Sequence, residues 1–167
     1  LSEKGMECEM TEQYASDIFQ KWVDILKNRR DEQEENQENE TKVRFWMYAA
    51  GENSRLWDEF YKDGIMAIGW DELGALSEYA DRDEMISAMK EKIAEGKSYK
   101  NDSLATWQFV NTMAVGDIVY VKKGISKVVG RGIVQSEYFY DFTRNEYRNT
   151  RKMEWTNKGE WEHPGQA

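Results

Sequence analysis

The stretch 65-IMAIGWDELG-74 places a tryptophan where a chain normally turns with small polar residues. The run from Ile65 to Ile68 is continuously apolar, which predicts a short strand buried on both faces. Trp70 follows Gly69, and a glycine there lets the backbone approach a neighbour closely. An aromatic ring at the end of a strand can plug a barrel, or it can form one wall of a cage for a flat ligand. The pattern favours neither interpretation over the other.

Residue types needed for nucleophilic or metal catalysis are scarce. The chain has one histidine, His163, and one cysteine, Cys8, far apart in sequence, so neither a zinc site nor a histidine-based triad can be assembled from them. A phosphate loop of the Gly-x-x-x-x-Gly-Lys-Ser/Thr type is missing. Acidic pairs such as Asp71 and Glu72 have an ordinary explanation as solvated turn residues. We therefore expect a binding domain rather than an enzyme, without a cofactor or a metal.

Charge is distributed unevenly along this acidic chain, whose net charge is −9. Residues 1–42 and residues 51–97 each carry a net charge of −6, whereas residues 122–152 contain eight basic and three acidic residues. A basic segment within an acidic protein predicts where a phosphate backbone would bind. Aromatic residues make up 13% of the chain, and Trp and Tyr are side chains on which flat ligands stack.

The first 42 residues differ from the rest. Helical spacing of apolar residues over 11–30, with Thr11 as N-cap, predicts a helix, and the polar segment 31–42 predicts a linker. We expect an acidic helical leader at 1–42 and a binding domain at 43–167. A single cysteine favours a reducing, cytoplasmic compartment, and the absence of any run of 18 apolar residues argues against a membrane span.

The pattern after residue 42 predicts strands at 43–50, 65–70, 117–123, 127–140 and 152–156, and helices at 54–64, 81–96 and 102–113. Ser54 and Asp81 are the expected N-caps, and Gly64 and Gly96 the expected helix ends. The short turn at 124–126 predicts a hairpin. This order predicts an α+β fold in which a mixed sheet curls into a small barrel with flanking helices.

Four segments together resemble the EVE domain, a relative of the YTH domains in the PUA superfamily: 45-FWMYAAGEN-53, 56-LWDEFYKDGIMAIGWDELG-74, 104-LATWQFVNTMAVGDIVYVKKG-124 and 128-VVGRGIVQSEYFYD-141. They are most similar to the N-terminal reader domains fused to McrB-like AAA+ restriction GTPases. The resemblance covers roughly residues 43–161. It implies a PUA-like pseudo-barrel with a pocket for one nucleobase flipped out of its stack, which in YTH relatives is methylated.

The resemblance also implies site residues. Trp70 matches the first aromatic wall of the cage, and Gly51, Glu52 and Asn53 match the loop that contacts the edge of the base. The second wall is left open between Trp107, Tyr138, Phe139, Tyr140 and Trp155. The basic residues of 122–152 would then hold the phosphates: Lys122, Lys123, Lys127, Arg131, Arg144, Arg148 and Arg151.

The leading hypothesis is therefore a reader of a modified base, with DNA favoured over RNA, that targets a restriction system whose AAA+ motor and nuclease lie elsewhere. One alternative is a PUA-like module that binds RNA or a nucleotide. Another is a protein-interaction domain in which the acidic leader helix and the acidic segment 51–97 dock a partner and the aromatic residues are only core. A DNA reader should bind with a salt-dependent affinity and should lose discrimination of the methyl group on Trp70→Ala.

Overall fold

The computed structural model describes residues 19–28 and 42–162, and the chain divides into two units, Leu1–Lys42 and Val43–Ala167. In the first unit, residues 19–28 form helix α1, and Phe19, Trp22, Ile25 and Leu26 on it are exposed. The predicted cap Thr11 and residues 31–41 of the predicted linker lie outside the described residues. Among the described residues, no helix is long and apolar enough to cross a membrane.

The second unit is built on a curled mixed sheet, as the sequence predicts at this level. Its strands are β1 (Phe45–Tyr48), β2 (Ile65–Ile68), β3 (Ile118–Lys123), β4 (Lys127–Val134), β5 (Phe139–Tyr140) and β6 (Asn149–Glu162). The strand order is β1-β3-β4-β6-β2, and β5 pairs with β6. Only β1 and β3 run parallel among these pairs. The strands β1 and β2, near in sequence, therefore end up at opposite ends of the sheet.

Three helices flank this sheet: α2 (Trp57–Asp63), α3 (Arg82–Lys92) and α4 (Lys100–Trp107). Asp81 caps α3 as predicted, accepting a 2.8 Å hydrogen bond from the Glu84 amide. Gly64 ends α2 in the left-handed conformation, also as predicted. The helix α4 continues into a wider π-helical turn, Gln108–Thr112, that the sequence did not indicate.

Several predicted boundaries are wrong. Ser54 does not cap α2, because its hydroxyl accepts from the Ala50 amide (3.2 Å) and donates to the Lys122 carbonyl (2.5 Å) instead. The helix α3 ends before Gly96. The predicted strand 127–140 is divided into β4 and β5, and β6 is much longer than 152–156, because it pairs with β4, β5 and β2.

Two glycines on β4 leave room for tryptophan rings. A Cβ atom at Gly130 would lie 2.1 Å from Cζ2 of Trp57, and one at Gly132 would lie 2.4 Å from Cε3 of Trp155. The two indole rings meet edge to face with their centroids 4.7 Å apart. The glycines of 128-VVGRGIV-134 therefore have a packing role.

Two apolar clusters share the interior. The sheet cluster lies between the strands and α2, and its fully buried members include Phe60, Met66 and Val119. The helix cluster joins α3 and α4 to the turns after β2 and consists of Leu73, Leu76, Met85, Met89 and Tyr99. Ile68, Val110 and Tyr138 pack against both clusters, so the two are contiguous.

Candidate functional site

The ends of the curled sheet approach each other at Tyr48 on β1 and Ala67 on β2. The Tyr48 hydroxyl donates to the Ala67 carbonyl (2.5 Å) and accepts from the Ala67 amide (3.1 Å). Tyr48 is buried, and this burial raises the pKa of its hydroxyl well above the usual value. The hydroxyl therefore stays protonated and satisfies both backbone groups of an edge residue.

A cavity of about 170 Å³ lies between β1, β2 and the end of α4. Met47 and Ala105 are exposed, whereas Met66, Phe109 and Met113 are buried, so the cavity runs from the surface into the sheet cluster. Its wall is almost entirely apolar. The residues that line it are Trp46, Met47, Tyr48, Met66, Ile68, Ala105, Gln108, Phe109 and Met113.

The aromatic wall of this cavity is fixed by a buried carboxylate. Nε1 of Trp46 donates a 2.8 Å hydrogen bond to Oδ2 of Asp117, which is 3% exposed. The same carboxylate accepts from the backbone amides of Arg44 (3.1 Å) and Ala114 (3.0 Å). The two backbone amides hold the carboxylate, and the carboxylate in turn fixes the orientation of the Trp46 indole.

The π-helical turn at the end of α4 is held by Arg151. Its Nε donates to the Phe109 carbonyl (2.8 Å), Nη2 to the Val110 carbonyl (3.1 Å) and Nη1 to the Ser136 carbonyl (2.9 Å). The side chain is fully buried, and this burial lowers the pKa of the guanidinium. The predicted contact of Arg151 with a phosphate therefore does not fit its position, since its donors are used inside the protein.

Three of the predicted aromatic residues lie against the helix cluster. Trp70 has a left-handed backbone (φ 70°), is half-buried, and meets the Tyr99 ring edge to face at 6.3 Å. Trp107 packs against the same cluster. The Tyr138 hydroxyl accepts from the Leu76 amide (2.9 Å) and donates to Oδ1 of Asn149 (2.7 Å). These contacts pack all three side chains against the helix cluster, and each side chain stays partly exposed.

The predicted loop Gly51, Glu52 and Asn53 faces Tyr147, a residue that sequence reasoning missed. A Cβ atom at Gly51 would lie 3.3 Å from the Tyr147 hydroxyl, and one at Gly69 would lie 3.8 Å from its ring. The Tyr147 ring therefore lies between the loop and the end of β2. Glu52 and Asn53 are exposed, and Asn53 has a left-handed backbone (φ 49°).

Tyr140 is placed apart from these residues, on β5. Its ring meets that of the exposed Phe142 edge to face, with centroids 5.0 Å apart. The predicted aromatic residues therefore do not converge on one point. Trp70, Trp107 and Tyr138 share a cluster, and Tyr140 contacts a neighbour on the adjoining loop.

The predicted basic residues differ in how far they are engaged. Lys127 pairs with Glu160, and Nη1 of Arg131 donates to Oγ1 of Thr156 (3.0 Å). Arg144 pairs with Glu59 (2.6 Å) and lies over the Phe60 ring, and Nε of Arg148 donates to the Arg144 carbonyl (2.7 Å). Lys122 and Lys123 are exposed and form no ion pair within the described residues. The bond between Ser54 and the Lys122 carbonyl brings these two lysines beside the 51–53 loop.

The cavity residues on α4 and its π-helical turn had no distinctive sequence signal. Spacing of 102-DSLATWQFVNTM-113 predicted a helix, and Trp107 was its conspicuous residue. Helical spacing puts Ala105, Gln108 and Phe109 on one face, at i, i+3 and i+4, but it could not show that this face meets β1 and β2. Only the tertiary contacts reveal them.

Comparison with known proteins identifies the chain by its sequence family. No curated protein matches it. A family profile matches residues 46–167, a region that contains every residue lining the cavity as well as Lys122, Lys123 and Arg151. The chain therefore belongs to the family described as Domain of unknown function (DUF8426).

Proposed function

We propose that residues 43–167 form a nucleic-acid reader that takes one modified base, flipped out of its stack, into the cavity between β1 and β2. The observation that carries this proposal is an apolar cavity of about 170 Å³ that opens at the surface beside a fixed indole. The resemblance to EVE and YTH domains supports the same class of ligand. It also favours DNA, and a role as the targeting module of a McrB-like restriction system with a separate AAA+ motor and nuclease.

The size of the cavity suits one ring. An apolar cavity of about 150 Å³ in another protein stays dry and holds a benzene molecule. The cavity here is of similar volume and similarly apolar, so a single six-membered ring with a methyl group is the expected occupant. A modified pyrimidine therefore fits better than a modified purine.

The energetics of base flipping agree with an apolar, aromatic site. Flipping a base costs a few kcal/mol because stacking and pairing are lost. Stacking on an aromatic side chain returns about 1–3 kcal/mol, and burial of one methyl group returns about 0.8 kcal/mol. Met66 and Met113 line the buried part of the cavity, and a thioether adapts its shape to such a group.

Electrostatics favour Lys122 and Lys123 as the phosphate contacts. They are exposed and free of ion pairs in the described part of the chain, whereas Lys127 and Arg144 already pair with acidic side chains. An available cation releases condensed counterions when it binds a phosphate, and a paired cation must first give up its partner. We expect these two lysines to carry most of the salt dependence.

The proposal is tested by fluorescence anisotropy with duplexes that differ in one base: unmodified, 5-methylcytosine, 5-hydroxymethylcytosine or N6-methyladenine. Ala105→Trp fills the mouth of the cavity and should reduce affinity for the preferred duplex by about tenfold or more, the value of the lost stacking. Leu104→Trp adds the same ring at an exposed neighbouring position outside the cavity and should bind as the wild type does.

Titrations at two salt concentrations separate phosphate contacts from base contacts. The double substitution Lys122→Ala and Lys123→Ala should lower the slope of log K against log salt by about 2 for DNA and leave the preference between bases unchanged. Equal binding of all duplexes by the wild type and by Ala105→Trp would refute the reader. If the protein bound a modified RNA more tightly than the matching DNA, the cavity would still be the proposed site, but its ligand would be RNA rather than DNA.

A further inference from the structure

Gln108 is the one residue lining the cavity whose polar side-chain group has no partner in the described part of the chain. The Trp46 indole N–H is bonded to Asp117, and the Tyr48 hydroxyl makes two bonds to Ala67. The remaining lining residues are apolar, apart from Gln108. A carboxamide offers both a donor and an acceptor, so it can pair with two adjacent polar atoms of a ligand at once.

The backbone that carries Gln108 is held rigidly. The Gln108 carbonyl accepts from the Met113 amide at 2.8 Å, which closes the π-helical turn. Arg151 bonds to the carbonyls of the next two residues, Phe109 and Val110, from inside the protein. A side chain on a backbone held from both sides can orient a ligand, because little freedom is lost on binding.

We propose that Gln108 reads the Watson–Crick edge of the bound base, with its amide oxygen accepting from the exocyclic amine and its amide nitrogen donating to the ring nitrogen. This inference rests on the proposed function, since it assigns the polar contact within the same cavity. Cytosine presents this donor and acceptor side by side, as does adenine. A methyl group at C5 of cytosine lies away from that edge, so the apolar wall and Gln108 would recognise different parts of one base.

Gln108→Met tests the assignment because it keeps the length of the side chain and removes its hydrogen bonds. On a duplex with one 5-methylcytosine, affinity should fall by about tenfold, since the polar edge of the base is left unpaired. Asn111→Met removes a carboxamide from the same π-helical turn at an exposed position outside the cavity. This control should bind as the wild type does.

A second readout uses 3-deaza-5-methylcytosine, in which a C–H replaces the ring nitrogen acceptor. The preference for the 5-methylcytosine duplex over this duplex should be about tenfold greater for the wild type than for Gln108→Met. The cost of flipping each base is the same for both proteins and cancels in this comparison. Gln108→Glu keeps the acceptor and turns a second acceptor toward the ring nitrogen, so it too should lose the wild-type preference for the 5-methylcytosine duplex.

The outcomes separate the two proposals. If Ala105→Trp abolishes the preference for 5-methylcytosine but Gln108→Met retains wild-type affinity, the cavity is the site and Gln108 is not its reader. If N6-methyladenine is the preferred base, the pyrimidine assignment is refuted, and Gln108 remains its reader only if Gln108→Met loses the preference for this base over its 1-deaza analogue. If the wild type prefers no modified base, the reader and the role of Gln108 are both refuted. Thermal unfolding of each variant identifies a loss of binding that comes from misfolding.

Discussion

Two contiguous apolar clusters contain most of the interior aromatic residues of this domain, and a cavity opens into one of them, the sheet cluster. Around Trp70, the rings of Trp107, Tyr99 and Tyr138 pack against leucine and methionine side chains. Around Trp46, the side chains leave a cavity of about 170 Å³. The sheet cluster therefore combines a fixed aromatic ring with space beside it, which a flat ligand needs.

The difference arises from backbone geometry. The helix cluster lies between α3, the start of α4 and the short turns after β2, and its side chains pack together. Beside the sheet cluster, β1 and β2 are joined through a tyrosine hydroxyl. A π-helical turn covers the opening between them. Such turns are frequent at functional sites, and here Gln108 and Phe109, at the start of the turn, line the cavity.

The largest loss of stability is expected from substitution of Arg151, which holds the π-helical turn. Arg151→Met would leave the carbonyls of Phe109, Val110 and Ser136 without their donors inside the protein. We expect the free energy of unfolding in urea to fall by about 3–5 kcal/mol, because unpaired buried polar groups are costly. Lys152→Met, at the exposed neighbouring position, should change it by no more than about 0.5 kcal/mol. A loss under about 1 kcal/mol for Arg151→Met would mean that the turn does not depend on the guanidinium.

An intermediate loss of stability is expected from substitution of Trp70, which packs against the helix cluster. Trp70→Ala removes a half-buried indole that packs on Tyr99, and should lower the free energy of unfolding by about 2 kcal/mol, less than for a fully buried tryptophan. Anisotropy should show affinity and base preference within about twofold of the wild type. Trp161→Ala, at an exposed position on β6, should affect neither quantity. Loss of methyl discrimination in a folded Trp70→Ala protein would instead place the base at Trp70, as the sequence resemblance implies.

A smaller effect is expected at the junction of β1 and β2. Tyr48→Phe removes the hydroxyl that satisfies the Ala67 amide and carbonyl, and should cost about 1–2 kcal/mol near neutral pH. Burial raises the pKa of this hydroxyl in the folded protein, so the folded state holds the proton more tightly than the unfolded state does. The contribution is complete below the unfolded pKa of about 10 and is lost as the pH rises above it.

Denaturation at pH 8 and at pH 11 checks this sign. Between these two pH values, the free energy of unfolding should fall more for the wild type than for Tyr48→Phe. The difference in stability between the two proteins should therefore be smaller at pH 11 than at pH 8. Tyr120→Phe, on the neighbouring strand β3, should retain the wild-type change. A difference that is constant with pH would show that the Tyr48 hydroxyl does not titrate in this way.

Part of the fold was accessible to pattern reasoning because its signals are local. The hairpin at 117–134 follows from two β-branched runs and a glycine turn, and the start of α3 follows from Asp81. Ser54 misled the prediction, since a serine before an apolar run resembles an N-cap. Its hydroxyl is instead used by Ala50 and Lys122, and the second of these is distant in sequence.

The predicted site residues show the same limit, because a local pattern does not reveal contacts between distant parts of the chain. Lys122 and Lys123 are exposed, as a phosphate contact requires, and their charge alone indicated that role. Arg151 belongs to the same basic segment, but only the folded chain shows that it points inward to three carbonyls. A net charge along a segment cannot distinguish a cation on the surface from one that is buried.

By itself, the sequence determined the class of fold, the basic hairpin and the scarcity of catalytic residue types, because these depend on composition, periodicity and short-range turn chemistry. Only the tertiary structure determined where a cavity lies between the packed elements. Tyr48 and Ala67 meet only when the sheet curls, and Gln108 lines the cavity only because the end of α4 packs against β1 and β2. A cavity is a property of the distances between elements, and no local pattern of residues encodes it.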